Sequence, residues 1–498
     1  MLTRLIALDP HATAPMYRQL YDALRLAILA GQLPSGARLP STRALAHELA
    51  ISRNTVLDAY AQLLAEGYVE GQVGSGTYVA RALPEELLQA RPGRTLASRP
   101  AARSPQRTLS RRGERLAATP VAPAHPDLVS SRAATQAAIS FRPGQPAFDA
   151  FPYDTWRRII DRHWRQPPRT LLSYGDPAGY LPLRQAIAGC LQAARAVRCD
   201  PQQVLIVSGS QQALDLVARL LLDEGDTVWA EDPGYIGARG ALIGAGARVV
   251  PVPVDDEGLD IHAGAARAPS ARLVYVTPSH QYPLGVTMSL ARRLALLEWA
   301  ERAGAWVLED DYDSEYRYAG RPLASLQGLD RAERVIYSGT FSKVMFPALR
   351  LGYLVVPPDL VDAFANARAL VDRHTPTVEQ AAMADFISAG HFARHIRRMR
   401  ALYAERQAIL LGVAGHVLGG ALGLAPAEAG MHLVGWLPDR HDDLAVSKRA
   451  AALGLEVPAL SRYVAEAPCR SGLLLGYTAL DAAQIAEGVR RLALALQQ

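Results

Sequence analysis

Lysine is nearly absent from this chain. Of 53 basic residues only Lys343 and Lys448 are lysines, so almost all positive charge is carried by arginine, whose guanidinium stays protonated and cannot form an imine. Cysteine is scarce as well. Cys190, Cys199 and Cys469 are odd in number, far apart and without C-x-x-C spacing, which argues against a disulfide framework and against a zinc site. No apolar run approaches the roughly 20 residues that span a bilayer. The opening Leu5-Ile6-Ala7-Leu8 is too short for a secretory core and meets Asp9-Pro10 at once, so the expected location is the cytoplasm. There is no internal repeat.

What is present points to several folded units. A chain of 498 residues, 49% hydrophobic and 20% charged, exceeds one ordinary core and has the balance of a globular multidomain protein. Three zones follow. Residues 1–80 are compact and patterned. Residues 81–134 are rich in Ala, Arg, Pro and Ser, with ten Arg against four acids, more than the whole formal excess of +5. Breaks such as Arg91-Pro92-Gly93-Arg94 and Ser104-Pro105 leave room for one short helix at most, at residues 84–90, and the zone reads as a flexible cationic linker. Residues 135–498 alternate strand-like and helix-like segments.

In that last zone short β-branched or apolar runs occur at 204–207, 227–230, 248–252, 273–276, 306–308 and 335–337, most of them separated by helical patterns. The fold class is therefore α/β, with a mainly parallel sheet covered on both faces. Polar clusters follow the strands: Ser208-Gly209-Ser210, Glu231-Asp232-Pro233, Pro278-Ser279-His280, Glu309-Asp310-Asp311 and Ser338-Gly339-Thr340. Open α/β sheets bind ligands beyond the carboxyl ends of their strands, so these clusters should converge on one crevice.

The first zone reads differently. Met16-Tyr17, Leu20-Tyr21, Leu24 and Ile28 fall at helical spacing. Ser41 caps a second helix with Leu45 and Leu49 on its apolar face, and Ser52 caps a third, packed through Val56, Tyr60 and Leu63. Two short helices joined by a tight turn have the helix-turn-helix layout, with Arg53-Asn54-Thr55 at the turn that faces base edges. Residues 68–70 and 77–79, flanking Gly71, Gly74 and Gly76, suit a hairpin wing. Six Arg balance six acids over residues 1–80, so net charge does not mark this segment as a DNA binder, although Arg38, Arg43 and Arg53 sit at helix starts. Pattern alone leaves a protein-docking module open. The run from Pro15 to Val79 nevertheless resembles the winged-helix head of the GntR superfamily. That resemblance implies contacts to double-stranded DNA from Arg38, Ser41, Arg43, Ser52, Arg53, Thr55 and Gly74, mostly to phosphates, with Arg53 and Thr55 as base readers.

The larger zone offers four chemical parts. Lys343, in Ser338-Gly339-Thr340-Phe341-Ser342-Lys343, is an amine just past a strand. Arg350, seven residues on, returns a guanidinium to the same place. Asp310 ends another strand with a carboxylate, Asp311 competing for the role, and Tyr312 adds a phenol. Ser208-Gly209-Ser210-Gln211-Gln212 opens a helix whose free N–H groups favour an anion. Tyr235 provides a flat surface. An amine for an aldehyde, a carboxylate for a pyridine nitrogen, a phosphate cradle and a ring platform are what pyridoxal 5′-phosphate (PLP) requires of a protein.

From about Phe141 onward the chain resembles the fold-type I, class I and II aminotransferases. Phe141-x-x-Gly144-x-Pro146 is similar to their entry segment, Tyr174-x-x-x-x-Gly179 to the tyrosine that reaches the partner subunit's phosphate, and Glu309-Asp310-Asp311-Tyr312-Asp313 to the pyridine-nitrogen strand. The resemblance implies PLP held by Lys343, Asp310, Tyr312, Tyr235, Gly209, Ser210, Gln211, Thr340, Ser342, Arg350 and Tyr174, and a small C-terminal α+β subdomain. Ser279-His280-Gln281-Tyr282-Pro283-Leu284-Gly285 departs from the aminotransferase Asn-Pro-x-Gly, with Gln281 as the substitute ligand to the cofactor's 3′-oxygen. Arg470 is the candidate for an effector carboxylate.

A GntR head fused through a linker to such a domain resembles the MocR-type regulators, of which the GabR-like proteins are one branch. This implies a homodimer with each head packed against the other subunit's large domain, paired operator half-sites, and a transcription regulator that senses an amine, an amino acid or PLP itself by exchange at the Lys343 imine. The competing reading is a working aminotransferase with an appended DNA-binding head.

Overall fold

The computed structural model describes residues 6–10, 12, 14–72, 76–81, 109–119, 139–319, 323–439, 441–467 and 469–497. The chain forms two units, Met1–Arg107 and Thr108–Gln498. The expected short helix at 84–90 and Gly74 lie outside the described residues.

The first unit is built on three helices, α1 (Met16–Leu29), α2 (Thr42–Glu48) and α3 (Arg53–Ala65), followed by strands β1 (Val69–Gln72) and β2 (Gly76–Val79). The Ser41 hydroxyl accepts from the Ala44 N–H at 3.2 Å and the Ser52 hydroxyl from the Asn54 N–H at 3.1 Å, each satisfying one of the donors a helix start leaves open. Between α2 and α3 the chain turns through Ala50 in the left-handed region, φ 52°. Leu20, Leu24, Leu45, Val56 and Leu63 have no exposed area; at about 2 kcal/mol each, their burial is what holds three short helices together. β1 and β2 pair antiparallel with Val69 opposite Val79. Arg38 bridges to Tyr78 and the Leu39 N–H donates to the Thr77 carbonyl at 2.8 Å, so the segment before α2 is tied to the wing.

The second unit begins with a departure from expectation. Within the zone read as a linker, Arg111–Ala118 is a helix, α4. Ser110 caps it, accepting from the Gly113 N–H at 3.1 Å, and Arg115 pairs with Glu224 at 2.7 Å. Gly244 leaves a notch for Leu116, since a Cβ there would lie 2.7 Å from the leucine Cδ2. Such a docked turn is a tertiary contact that composition does not reveal.

Then follow α5 (Leu181–Arg195), β3 (Val204–Val207), α6 (Ser210–Leu221), β4 (Thr227–Asp232), α7 (Ile236–Ala245), β5 (Arg248–Asp255), β6 (Gly258–Leu259), β7 (Leu273–Val276), β8 (Trp306–Asp311), β9 (Val335–Thr340) and β10 (Gly352–Val355). They form one eight-stranded sheet in the order β3-β10-β9-β8-β7-β4-β5-β6. It is mainly parallel: β10 runs against β3 and β9, and β6 against β5. Side chains alternate across it as pleating requires. Val204 and Ile206 enter one core while Leu205 enters another on the opposite face. Several strands run further than their apolar residues, because Glu231-Asp232, Glu309-Asp310-Asp311 and Ser338-Gly339-Thr340 stay extended at the sheet's carboxyl edge.

The chain closes with α8 (Thr377–Ser388), the 28-residue α9 (His391–Leu418), β11 (His432–Trp436), α10 (Asp443–Ala452), β12 (Gly472–Gly476) and α11 (Ala482–Gln497). β11 and β12 pair antiparallel, which supplies the small α+β part. Among the described residues no helix is long and apolar enough to cross a membrane.

Candidate functional site

Where the strands β4, β7, β8 and β9 end, a cavity of about 240 Å³ opens, and Lys343, Asp310, Tyr312, Tyr235, Ser210, Gln211, Thr340, Ser342 and Arg350 all line it. Lys343 follows β9 by three residues. Burial holds its amine below the usual lysine range, against the opposing pull of Asp313, and a neutral amine is the form that attacks an aldehyde. The backbone makes room for it at Gly144, φ 74°, where a Cβ would lie 2.7 Å from Lys343 Nζ.

Asp310 is 4% exposed. Its Oδ2 accepts from the Tyr275 hydroxyl at 2.8 Å, whereas Oδ1 is buried without a partner. Burial pushes this carboxyl up to about 6, with the Tyr275 hydrogen bond opposing. Asp311, one residue on, points the other way: its Oδ2 receives Arg195 Nε at 2.8 Å, the Tyr337 hydroxyl at 2.6 Å and the Ser314 hydroxyl at 2.9 Å. The pleat thus assigns the two adjacent carboxylates to different surroundings.

Opposite them the first turn of α6 faces the cavity through Ser210 and Gln211. Gly209, φ 83°, precedes it, and a Cβ there would lie 3.2 Å from both Nη atoms of Arg350. Arg350, itself left-handed at φ 53°, donates to the Ser208 carbonyl. A guanidinium laid across the open N–H groups of a helix start is a site for an anion. Tyr312 receives its neighbour from the far side: its hydroxyl lies 2.9 Å from His280 Nδ1, which is also 3.0 Å from Asp313 Oδ2.

Apart from Gly209, which borders Arg350 just outside the lining, three expected residues are not brought into this cavity. Gln281 has spent its amide elsewhere. Its Nε2 donates to Glu231, to the Pro233 carbonyl at 2.9 Å and to the Tyr282 carbonyl at 2.8 Å, and its Oε1 accepts from the Leu284 N–H. Arg470 is exposed, donates to the Leu437 carbonyl at 3.2 Å and lies over the Trp436 ring at 5.7 Å, so it faces away. Tyr174 is 80% exposed with the Arg373 guanidinium over its ring at 4.8 Å. The Glu231-Asp232 pair is structural too: Glu231 accepts from Thr277, and Asp232 takes the N–H groups of Ala465, Glu466 and Ala467.

The cavity also contains residues that sequence reasoning passed over: Tyr275, Thr277, Tyr282, Pro143 and His432. His432 is pushed down to about 3, by burial first, and stands neutral with Nε2 2.8 Å from the Pro283 carbonyl. Tyr275 carries one usable signal, since it occupies the β7 position beside β8 and follows the alternation that turns Asp310 inward.

On the first unit Arg38, Ser41, Arg43, Ser52 and Arg53 are exposed and Thr55 is half-buried. Ser41 and Ser52 are occupied as helix caps. Arg53 Nε reaches the Thr42 hydroxyl at 3.4 Å, which joins the starts of α2 and α3. Arg38 lies against Gly76 of the wing, 3.1 Å from where a Cβ would be.

Two family models match. Residues 16–79 match "Bacterial regulatory proteins, gntR family" and residues 139–446 match "Aminotransferase class I and II". Among full-length relatives, the chain is 45% identical to the probable rhizopine catabolism regulatory protein MocR of Rhizobium meliloti, over 98% of this chain and 95% of that one. It is 34% identical to the HTH-type transcriptional regulator TauR of Rhodobacter capsulatus, over 98% of each. Among solved structures, a kynurenine aminotransferase of Pyrococcus horikoshii in complex with PMP superposes with a TM-score of 0.68 at 30% identity, covering 75% of this chain and 96% of that one.

Proposed function

The chain belongs to the MocR-type regulators, a GntR-family head joined to a class I and II aminotransferase domain, and from that premise we propose that Lys343 holds PLP and that the cavity around it senses an amine, an amino acid or PLP itself. The protein is a helix-turn-helix transcription regulator.

The observation that carries the cofactor assignment is the orphaned Asp310 Oδ1 in the same cavity as the Lys343 amine. A buried carboxylate oxygen without a partner is costly, and a protonated pyridine nitrogen is the donor it lacks. The residues present therefore fit the group. PLP supplies an aldehyde that takes up amines and a ring that withdraws electrons.

The chain supplies the rest. Lys343, held below the usual lysine range by burial, provides the amine. Asp310, fixed by Tyr275, holds the proton on the ring nitrogen. Ser210, Gln211, Thr340, Ser342 and Arg350 surround the phosphate, with Gly209 letting the arginine close on them. Tyr235 lies against the ring and Tyr312, oriented by His280, meets the 3′-oxygen. Tyr174 completes the same site in the partner subunit of a homodimer. The head contacts operator DNA through Arg38, Arg43, Arg53 and Thr55, Ser41 and Ser52 acting through the helix starts they cap, with one half-site for each head of the dimer.

Arg470, the candidate for an effector carboxylate, is turned out of the cavity and has no part in this reading. The test is direct. Adding PLP to the wild-type chain should produce the visible band of lysine-bound cofactor and Lys343→Ala should abolish it; an unchanged spectrum removes Lys343 from the account. Operator binding followed by fluorescence anisotropy should respond to PLP or candidate amines in the wild type alone. Steady-state turnover of an amino acid with a keto acid would establish the aminotransferase reading instead.

A further inference from the structure

A second cavity, of about 340 Å³, lies in the core between α5, β9, β10 and α9. It is larger than the cofactor cavity. Its apolar wall is formed by Ile187 and Leu191 of α5, Phe341 and Tyr353 beside the sheet, and Phe392 and Ile396 of α9, enough to enclose an aliphatic or aromatic side chain.

The rest of its lining is polar in a particular way. Glu315 Oε2 and Arg317 Nε are both buried and both without a hydrogen-bond partner, while Arg317 Nη2 is paired with Glu428 at 2.6 Å. Arg400 donates to the backbone carbonyl of Glu315 and forms no ion pair among the described residues. Burial pushes the Glu315 carboxyl up to about 8, with Asp311 adding to the effect, so the group is costly to ionise unless a cation arrives. With Arg317 balanced by Glu428, the carboxyl of Glu315 and the guanidinium of Arg400 are left without an opposite charge. Above an apolar wall they match a zwitterion with an apolar tail, whose ammonium and carboxylate meet them and the free Arg317 Nε with no net charge buried.

We propose that this second cavity binds a free α-amino acid with an apolar side chain, its ammonium on Glu315, its carboxylate on Arg317 and Arg400, and its side chain against Ile187, Leu191 and Phe392. His280 lines the same cavity, and its Nδ1 lies 2.9 Å from the hydroxyl of Tyr312 in the cofactor cavity. Occupation of one cavity therefore has a physical route to the other.

The proposal does not depend on the cofactor assignment, and its test keeps the two apart. Full-length protein is loaded with PLP and reduced with borohydride, so that Lys343 no longer exchanges with amines, and is titrated calorimetrically with L-phenylalanine. If no PLP is taken up, the protein is titrated as purified. Saturable binding of one molecule per chain is expected. Phenethylamine and 3-phenylpropanoate, each lacking one half of the zwitterion, should bind at least ~10-fold more weakly. Glu315→Gln and Leu191→Trp should each weaken phenylalanine binding at least ~10-fold while leaving PLP uptake unchanged. Glu315→Gln decides the matter if Leu191→Trp fails to fold. No saturable binding, equal affinity for all three compounds, or full affinity in Glu315→Gln would overturn the proposal.

Discussion

Replacing Asp310 with asparagine should make the cofactor-free protein more stable and the cofactor weaker bound. Burial pushes the Asp310 carboxyl from 3.8 to about 6 in the folded chain. Between those values the unfolded chain has lost the proton and the folded chain keeps it, so stability falls as pH rises through this window and the penalty is complete above the folded value. At ~1.4 kcal/mol per pH unit, an ionised Asp310 costs the apo fold ~3 kcal/mol at neutral pH. Asparagine keeps the shape, can still meet the Tyr275 hydroxyl at 2.8 Å, and removes that cost. It also removes a charge-assisted contact to the ring nitrogen of roughly 1.5–3 kcal/mol, or ~10- to 150-fold in PLP affinity. The assay is thermal unfolding of the apo wild type and Asp310→Asn at pH 5 and pH 8, with PLP titration at pH 8. The variant should gain on the wild type at pH 8 and keep only about half of that advantage at pH 5. A variant less stable at both pH values, or one that binds PLP as tightly as the parent, would refute the reasoning.

Three further outcomes follow from the same geometry. Gly144→Ala places a Cβ 2.7 Å from Lys343 Nζ at φ 74°, adds ~1–2 kcal/mol of backbone strain, and should lower PLP affinity at least ~10-fold in a spectroscopic titration; wild-type affinity would show that the amine does not need this space. Ala50→Gly relieves a left-handed alanine at φ 52° that is exposed, and should stabilise the first unit by ~0.5–1 kcal/mol, read as a rise in its calorimetric midpoint; a fall contradicts the turn geometry. Arg53→Ala should cost ~1–3 kcal/mol on the operator and much less on unrelated DNA, measured by anisotropy in one buffer. An equal loss on both sequences would make Arg53 a phosphate contact only.

The parts of the site set by short spacing were legible in the sequence. Lys343, Arg350, Asp310, Tyr235, Ser210 and Gln211 each stand a few residues from a strand end, and a parallel sheet gathers its carboxyl ends on one edge. The choice between Asp310 and Asp311 was not legible, because the apolar run before them fixes a strand but not which of two neighbours turns inward; that depends on Tyr275 and Arg195 from elsewhere in the chain. Gln281 and Arg470 occupy the expected stretches, yet their side chains are committed to local carbonyls and to the Trp436 ring. His432 enters the cavity from β11, a strand outside the main sheet, and nothing near it in the sequence marks it. In the fold, the helix-turn-helix followed from caps and apolar spacing, whereas helix α4 depends on a notch at Gly244 that only the folded chain presents.

The central claim is that one amine holds the cofactor. The chain has two lysines, Lys343 in the cavity and the exposed Lys448, so borohydride reduction of the PLP-loaded protein followed by peptide mapping reads the claim directly. The account predicts a pyridoxyl-phosphate adduct on the peptide containing Lys343 and none on that containing Lys448; an unmodified Lys343 peptide, or label on Lys448 alone, would contradict it.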